Sequence, residues 1–338
     1  MHIIRPIASH DEQALLGLAL SATPGILTLP RDPERIKQKL ADSVKAFSSS
    51  DFSEDNRYIF VLENLETHQI EGCSGILKSI NQDTHYKIEV IENNNRLLNY
   101  IPPIQKLLRP QISNENISEI GTLFLSKNCR KSGLGRLLSM SRFLFVACFP
   151  EFFEKEFMAE MRGVVDPTGK SPFWEGVGRH FYDVDFETIS AIYEANPKIV
   201  KEILPTYPIY WSLLAQETQD AIGKTHPDTV PALKMLESQG FSKCDWIDII
   251  DGGPRVRAVT SEIQIIKTAT HASVTQIIKD NLADSSVGIR LISNRKRDFR
   301  ACYGIVIVDE HGVTIDANTA KKLEIEKEEM ICFSEEKK

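Results

Sequence analysis

Apolar residues recur at every second position in some stretches of the chain and at every third or fourth in others. The alternation between these two periods lays out the elements. His2 to Arg5 reads as a strand, and Asp11 to Leu20 as a helix with apolar residues at helical spacing. A second amphipathic helix runs from about Asp32 to Phe47. Arg57 to Glu63 and Ile70 to Ile80 form an antiparallel pair across the polar turn Asn64 to His68, and His85 to Val90 adds a further strand. Leu123 to Leu125 is an apolar strand that passes through a short polar turn into a long helix, Leu134 to about Cys148. A strand, Phe157 to Val165, follows. Ser171 then stands as an N-cap with Pro172 just inside a helix. Another segment opens at Tyr207-Pro-Ile-Tyr210. His226-Pro227 leads a helix from Val230 to Glu237, and a strand from Trp246 runs into the turn Asp251-Gly-Gly-Pro254. The passages Ser171 to Phe181 and Val230 to Phe241, each a helix leading into a Phe, echo one another weakly as one repeated unit.

From about residue 260 the texture becomes β-rich. Glu262 to Lys267 and Val287 to Ile292 look strand-like, and Ala301 to Asp309 is a stronger strand with a hairpin turn at Asp309 to Gly312. Thr319 to Phe333 gives a helical turn and a last strand, and residues 335–338 read as a disordered tail. The expected architecture is α+β: a mixed sheet flanked by helices over residues 1–258, and a small β-barrel-like domain over 259–334.

Composition narrows the class. With 338 residues, 42% hydrophobic and 26% charged, the chain is long enough for a sizeable core and reads as a globular protein. A net charge of −7 argues against a nucleic-acid surface, which needs concentrated Lys and Arg. The six cysteines are scattered without a Cys-x-x-Cys pair, so neither the usual zinc spacing nor a disulfide framework is present, and no metal is expected. Reduced thiols, no signal-peptide pattern at the N-terminus and no membrane-length apolar run make the expected location cytoplasmic.

The richest stretch is Glu119 to Leu138. Its strand leads into Arg130-x-x-Gly133-x-Gly135 and then a Leu-rich helix. Glycines at this spacing let backbone N–H groups approach a ligand closely at the positive end of the following helix, an arrangement suited to a diphosphate. The spacing departs from two other nucleotide loops. No third glycine completes Gly-x-Gly-x-x-Gly, and Gly135 is followed by Arg136 and Leu137, not by Lys-Ser/Thr. The segment resembles the Arg/Gln-x-x-Gly-x-Gly/Ala loop by which GCN5-related N-acyltransferases hold coenzyme A.

Six motifs in order extend the likeness over nearly the whole chain: Gly121-Thr-Leu-Phe-Leu125, Arg130-Lys-Ser-Gly-Leu-Gly135, Met161-Arg-Gly163, Ser171-Pro-Phe-Trp174, His226-Pro227 and Asp251-Gly-Gly-Pro254. Together they resemble the arginine N-succinyltransferases. The resemblance implies transfer of succinyl from succinyl-CoA, a co-substrate with no tightly bound cofactor beside it, to the α-amine of L-arginine, as the first step of arginine breakdown. It puts the succinyl-CoA contact on Leu123 and the proton-donating histidine on His226. Arg130, Gly133, Gly135 and Arg136 fall at the diphosphate. Arg162 suits a carboxylate, and Glu160 or Asp251 suits a guanidinium. A histidine that titrates near neutrality serves an amine nucleophile or a thiolate leaving group.

Two stretches depart from the family pattern. Gly25-Ile-Leu-Thr-Leu-Pro30 carries Leu27 where a hydroxyl is expected, and Arg109 to Asn116 replaces an Asn-Asp-x-Thr-Gly pattern. Both lie on the acceptor side. They leave open ornithine or another amine, a related acyltransferase, or a non-catalytic CoA-binding protein, and homo- or hetero-oligomers are compatible with the family.

Overall fold

A computed structural model describes residues 1–22, 28–49, 56–92, 104–130, 133–196, 199, 202, 205–279, 289–310 and 312–337. The elements run β1 (His2–Pro6), α1 (Glu12–Ser21), α2 (Pro33–Ser48), β2 (Arg57–Asn64), β3 (Gln69–Ile80), β4 (Asp83–Glu92), β5 (Ile104–Ser113) and β6 (Ile117–Leu125). They continue α3 (Leu134–Cys148), β7 (Glu156–Glu160), α4 (Pro172–Gly176), α5 (Phe186–Ala195), β8 (Ile209–Tyr210), α6 (Gln216–Ala221), α7 (Val230–Glu237), β9 (Ser242–Ile247) and β10 (Pro254–Val259). The C-terminal set is α8 (Gln264–Thr268), β11 (Thr270–Ile278), β12 (Ile289–Asn294), β13 (Ala301–Asp309), β14 (Gly312–Asp316), α9 (Ala317–Leu323) and β15 (Met330–Lys337). None of the described helices is long and apolar enough to cross a membrane.

The framework is an α+β mixed sheet with helices on both faces. β1, β2, β3 and β6 pair antiparallel in that order, β6 and β7 run parallel, and β10, β9, β4, β5 and β8 follow outward. The strand period sorts the side chains of β2. Ile59 and Val61 meet α1 and α2, whereas Tyr58, Phe60 and Leu62 meet α3. Asp32 caps α2 by accepting from the Arg35 N–H at 2.9 Å, with Pro33 at the first helical position.

α3 is apolar nearly all round because it is covered nearly all round. Phe143, Leu144, Phe145 and Val146 are all fully buried, in one cluster with sheet residues and with Leu291, Phe299, Ala301 and Cys332 from the C-terminal strands. Those strands close a ring: β11 pairs β14, β14 pairs β13, β13 pairs β12, β12 pairs β15, and β15 returns to β11. A separate apolar core of Val274, Val306, Ile315 and Leu323 fills it. One edge of the ring meets β1 at Ile4 and Ala301, which extends the sheet.

Several local expectations change. Glu262 to Lys267 lies in a 3-10 turn and α8, not in a strand, because its apolar residues Ile263 and Ile265 are buried under the α3 core and a short apolar run does not discriminate the two. The strand expected to reach Val165 stops at Glu160, where the chain turns to pack Gly163 against Asp251. β9 ends at Ile247, so Asp248 to Asp251 form a turn. β5, α5, α6, β10 and β11 lie where the sequence pattern predicts no element. β15 runs to Lys337, opposite Arg290, through positions read as a disordered tail. Leu27 lies outside the described residues, as do Lys131 and Ser132 of the glycine loop and His311 of the hairpin turn.

Candidate active site

The glycine loop is built as its residue types require. Gly133 is the N-cap of α3 with φ of 79°, a left-handed conformation that glycine adopts without strain. Among the described residues no side chain caps it, and no acid stands in the first helical turn. The first N–H groups therefore keep their attraction for an anion. At Gly135 a side chain would meet nothing nearer than Leu125 Cδ2 at 3.6 Å, so packing does not demand glycine there. Its bare backbone leaves room outside the helix. Arg130 is exposed and donates from Nε to the Leu125 carbonyl at 3.4 Å, and Arg136 lies on the first turn.

β6 separates from its parallel neighbour just before this loop. The β6–β7 ladder holds Ser118 opposite Phe157 and Glu119 opposite Met158, and extends no further, while β6 runs on to Leu125. Between the two lies a bulge at Thr122, whose φ of 53° is unusual for a β-branched residue. Three contacts hold it. The Thr122 N–H donates to Thr28 Oγ1 at 3.0 Å, the Thr122 carbonyl accepts from Cys73, and the buried Arg142 donates to the Gly121 carbonyl at 3.3 Å. Burial pushes the Arg142 guanidinium down to about 9. Leu123 follows this bulge directly, on the strand segment that has left β7.

A second group gathers where β7 ends. The Arg162 carbonyl accepts from the His226 N–H at 2.8 Å. His226 Nδ1 accepts from the Asp228 N–H at 3.2 Å, which orients the ring at the head of α7. Burial, then the Arg162 charge, push the imidazole below its ordinary range, against the pull of Asp228. Asp251 latches the turn: its Oδ2 accepts from the Gly163 N–H at 2.7 Å and its Oδ1 from the Gly253 N–H at 2.8 Å. A side chain on Gly163 would stand 2.2 Å from the Asp251 carbonyl oxygen. Burial, then the neighbouring Asp248, push the Asp251 carboxyl up to about 7.

Glu160 faces a different partner. Arg255, directly opposite it across β7–β10, pairs with both Glu160 and Asp83. Burial opposes the charge on Arg255, but Glu160, Asp83 and Asp248 hold it charged. Burial raises the carboxyls of Glu160 and of Glu119, the latter at the separation point of the strands. Lys39 donates to the Thr28 carbonyl at 2.9 Å, and burial followed by the Arg57 charge pushes it down to about 7.

Leu123, Arg130, Gly133, Gly135 and Arg136 thus lie between the end of β6 and the first turn of α3. Arg162, His226 and Asp251 come together from three distant segments at the end of the adjacent parallel strand. Glu160 is drawn into the Arg255 cluster. Glu119, Arg255 and Thr28 escaped the sequence reading. A charged residue inside the apolar strands Ile117–Leu125 and Pro254–Val259 was the available signal for the first two.

A splayed parallel strand pair with a glycine-led helix after the first strand is the framework of the GCN5-related N-acyltransferase fold. The family model of the arginine N-succinyltransferase beta subunit matches residues 2–265. Arginine N-succinyltransferases from Shigella sonnei and from Escherichia coli are each 34% identical over 282 residues, covering 82% of this chain and 81% of theirs. The solved structure of arginine/ornithine succinyltransferase subunit AI from Pseudomonas aeruginosa is 27% identical, covers 98% of both chains and superposes with a TM-score of 0.88. The chain belongs to the arginine N-succinyltransferase family.

Proposed function

We propose that this protein moves the succinyl group of succinyl-CoA onto the α-amine of L-arginine, with no tightly bound cofactor. The observation that carries the reading is the end of the β6–β7 ladder at Glu119 and Met158, next to an uncapped helix start. A pantetheine arm lies along the freed side of β6, and the backbone at Leu123 polarises the thioester carbonyl. The diphosphate rests on the N–H groups at Gly133 and Gly135, with Arg130 and Arg136 adding charge.

His226 supplies the proton traffic. Its lowered basicity keeps the imidazole neutral at neutral pH, and because Nδ1 accepts from the Asp228 N–H, the ring hydrogen sits on Nε2, available to the leaving group. The free amine attacks the thioester carbon, and the oxyanion meets backbone N–H groups of the bulged strand. Collapse breaks the C–S bond as the Nε2–H of His226 gives its proton to the leaving thiolate, and the proton lost by the attacking nitrogen restores the ring. The products are N-succinylarginine and coenzyme A, with one proton released overall from the ammonium.

Arg162, beside His226, is the partner assigned to a substrate carboxylate, and Glu160 with Glu119 forms the acidic wall assigned to the guanidinium. Asp251 acts through the turn it latches, since both its oxygens already accept from backbone. Residues 1–258 form the transferase unit in this reading, with 259–334 as a β-rich companion.

Ornithine is the second acceptor to test, because the Pseudomonas relative is named for both amines. The test is free-thiol release from succinyl-CoA with arginine or ornithine supplied separately. Release that requires arginine supports the proposal; release with neither amine defeats it.

A further inference from the structure

Cys148, His271 and Cys332 are far apart in sequence, and no zinc-type spacing links them. The fold nevertheless brings one donor atom from each within 4.8 Å of the others. Cys148 is the last residue of α3. His271 and Cys332 lie directly opposite one another in the β11–β15 ladder, where side chains of a pair share a face. Both thiols are buried, and His271 is exposed, so the cluster has an entry path from solvent.

We propose that Cys148, His271 and Cys332 bind one soft or borderline divalent cation of the zinc class, clamping the end of α3 to the C-terminal strands. Two thiolates and an imidazole form a donor set suited to such an ion, with water in the fourth position of a tetrahedron. Zn–S and Zn–N bonds of about 2.3 and 2.0 Å put tetrahedral donors roughly 3.5–3.8 Å apart, so atoms within 4.8 Å of one another need to close by no more than about 1.3 Å.

Binding releases the two thiol protons to solvent. The two thiolates then balance the cation's charge.

The test uses the reduced, chelator-treated full chain titrated with Co(II) and, separately, Zn(II). One metal per chain and a thiolate-to-cobalt charge-transfer band in the near ultraviolet are expected. His271→Ala, on an exposed strand position that leaves the core intact, is expected to weaken binding at least about tenfold, and Cys148→Ser to diminish the band. Substoichiometric metal, no thiolate band, or unchanged affinity in His271→Ala overturns the proposal. A full band in Cys148→Ser/Cys332→Ser also overturns it, because the metal would then sit on other cysteines.

Discussion

Removing the Asp251 carboxylate tests whether that residue latches the active-site turn or touches substrate. In Asp251→Ala the N–H groups of Gly163 and Gly253 lose acceptors at 2.7 and 2.8 Å in a buried turn. Each unsatisfied donor costs roughly 1–3 kcal/mol, which sums to about 2–6 kcal/mol. The acid is itself unfavourably placed beside Asp248, so the lower half of that range, about 2–4 kcal/mol, is expected. Asp251→Asn keeps one acceptor oxygen and turns an NH2 group toward the other N–H, for about 1–2 kcal/mol. A pH signature accompanies the loss. The folded-state value near 7 lies above the ordinary 3.8, so between these values the folded state holds a proton that the unfolded chain releases. Wild-type stability should therefore fall as pH rises through that window, and Asp251→Ala should lose this dependence. Urea unfolding at pH 6 and pH 8, with steady-state thiol release alongside, reads all of these effects. Because the latch positions the Arg162 carbonyl against His226, kcat should fall with stability. An unchanged unfolding midpoint with only the arginine KM raised would make Asp251 a substrate ligand and refute the latch.

Three further outcomes follow from the same geometry. His226→Ala should lower kcat by about 10²–10⁴. The acid limb of the wild-type pH–rate profile should lie below 6.5, and Arg162→Leu should move it upward by removing the charge that disfavours the imidazolium. Gly133→Ala forces a side chain into φ of 79° at a cost of roughly 1–2 kcal/mol, and should raise the KM for succinyl-CoA while leaving that for arginine unchanged. Arg255→Met strands the carboxylates of Asp83 and Glu160 and should destabilise by about 3–5 kcal/mol in thermal or urea unfolding; adding Glu160→Gln should recover part of the loss.

The sequence by itself determined the elements whose causes are local. α2 follows from Asp32, Pro33 and a helical apolar stripe, and β2 and β3 from alternation around a polar turn. The glycine loop was legible because a left-handed φ and an exposed backbone are properties of the residues at those positions. Motif order was enough to indicate the family. Tertiary structure alone decided the rest, because it depends on contacts between distant residues. Thr28 reaches Thr122 across 94 positions, and Arg255 reaches Asp83 across 172. The departure at Leu27 drew attention to a lost hydroxyl, but the hydroxyl that reaches the bulge is that of Thr28. Short apolar runs such as Ile263 to Ile266 took their form from the core that buries them, since periodicity over so few residues does not separate helix from strand. The turn joining Arg162, His226 and Asp251, and the thiol–imidazole cluster at the far end of α3, exist only because the packed sheet carries their segments to the same place.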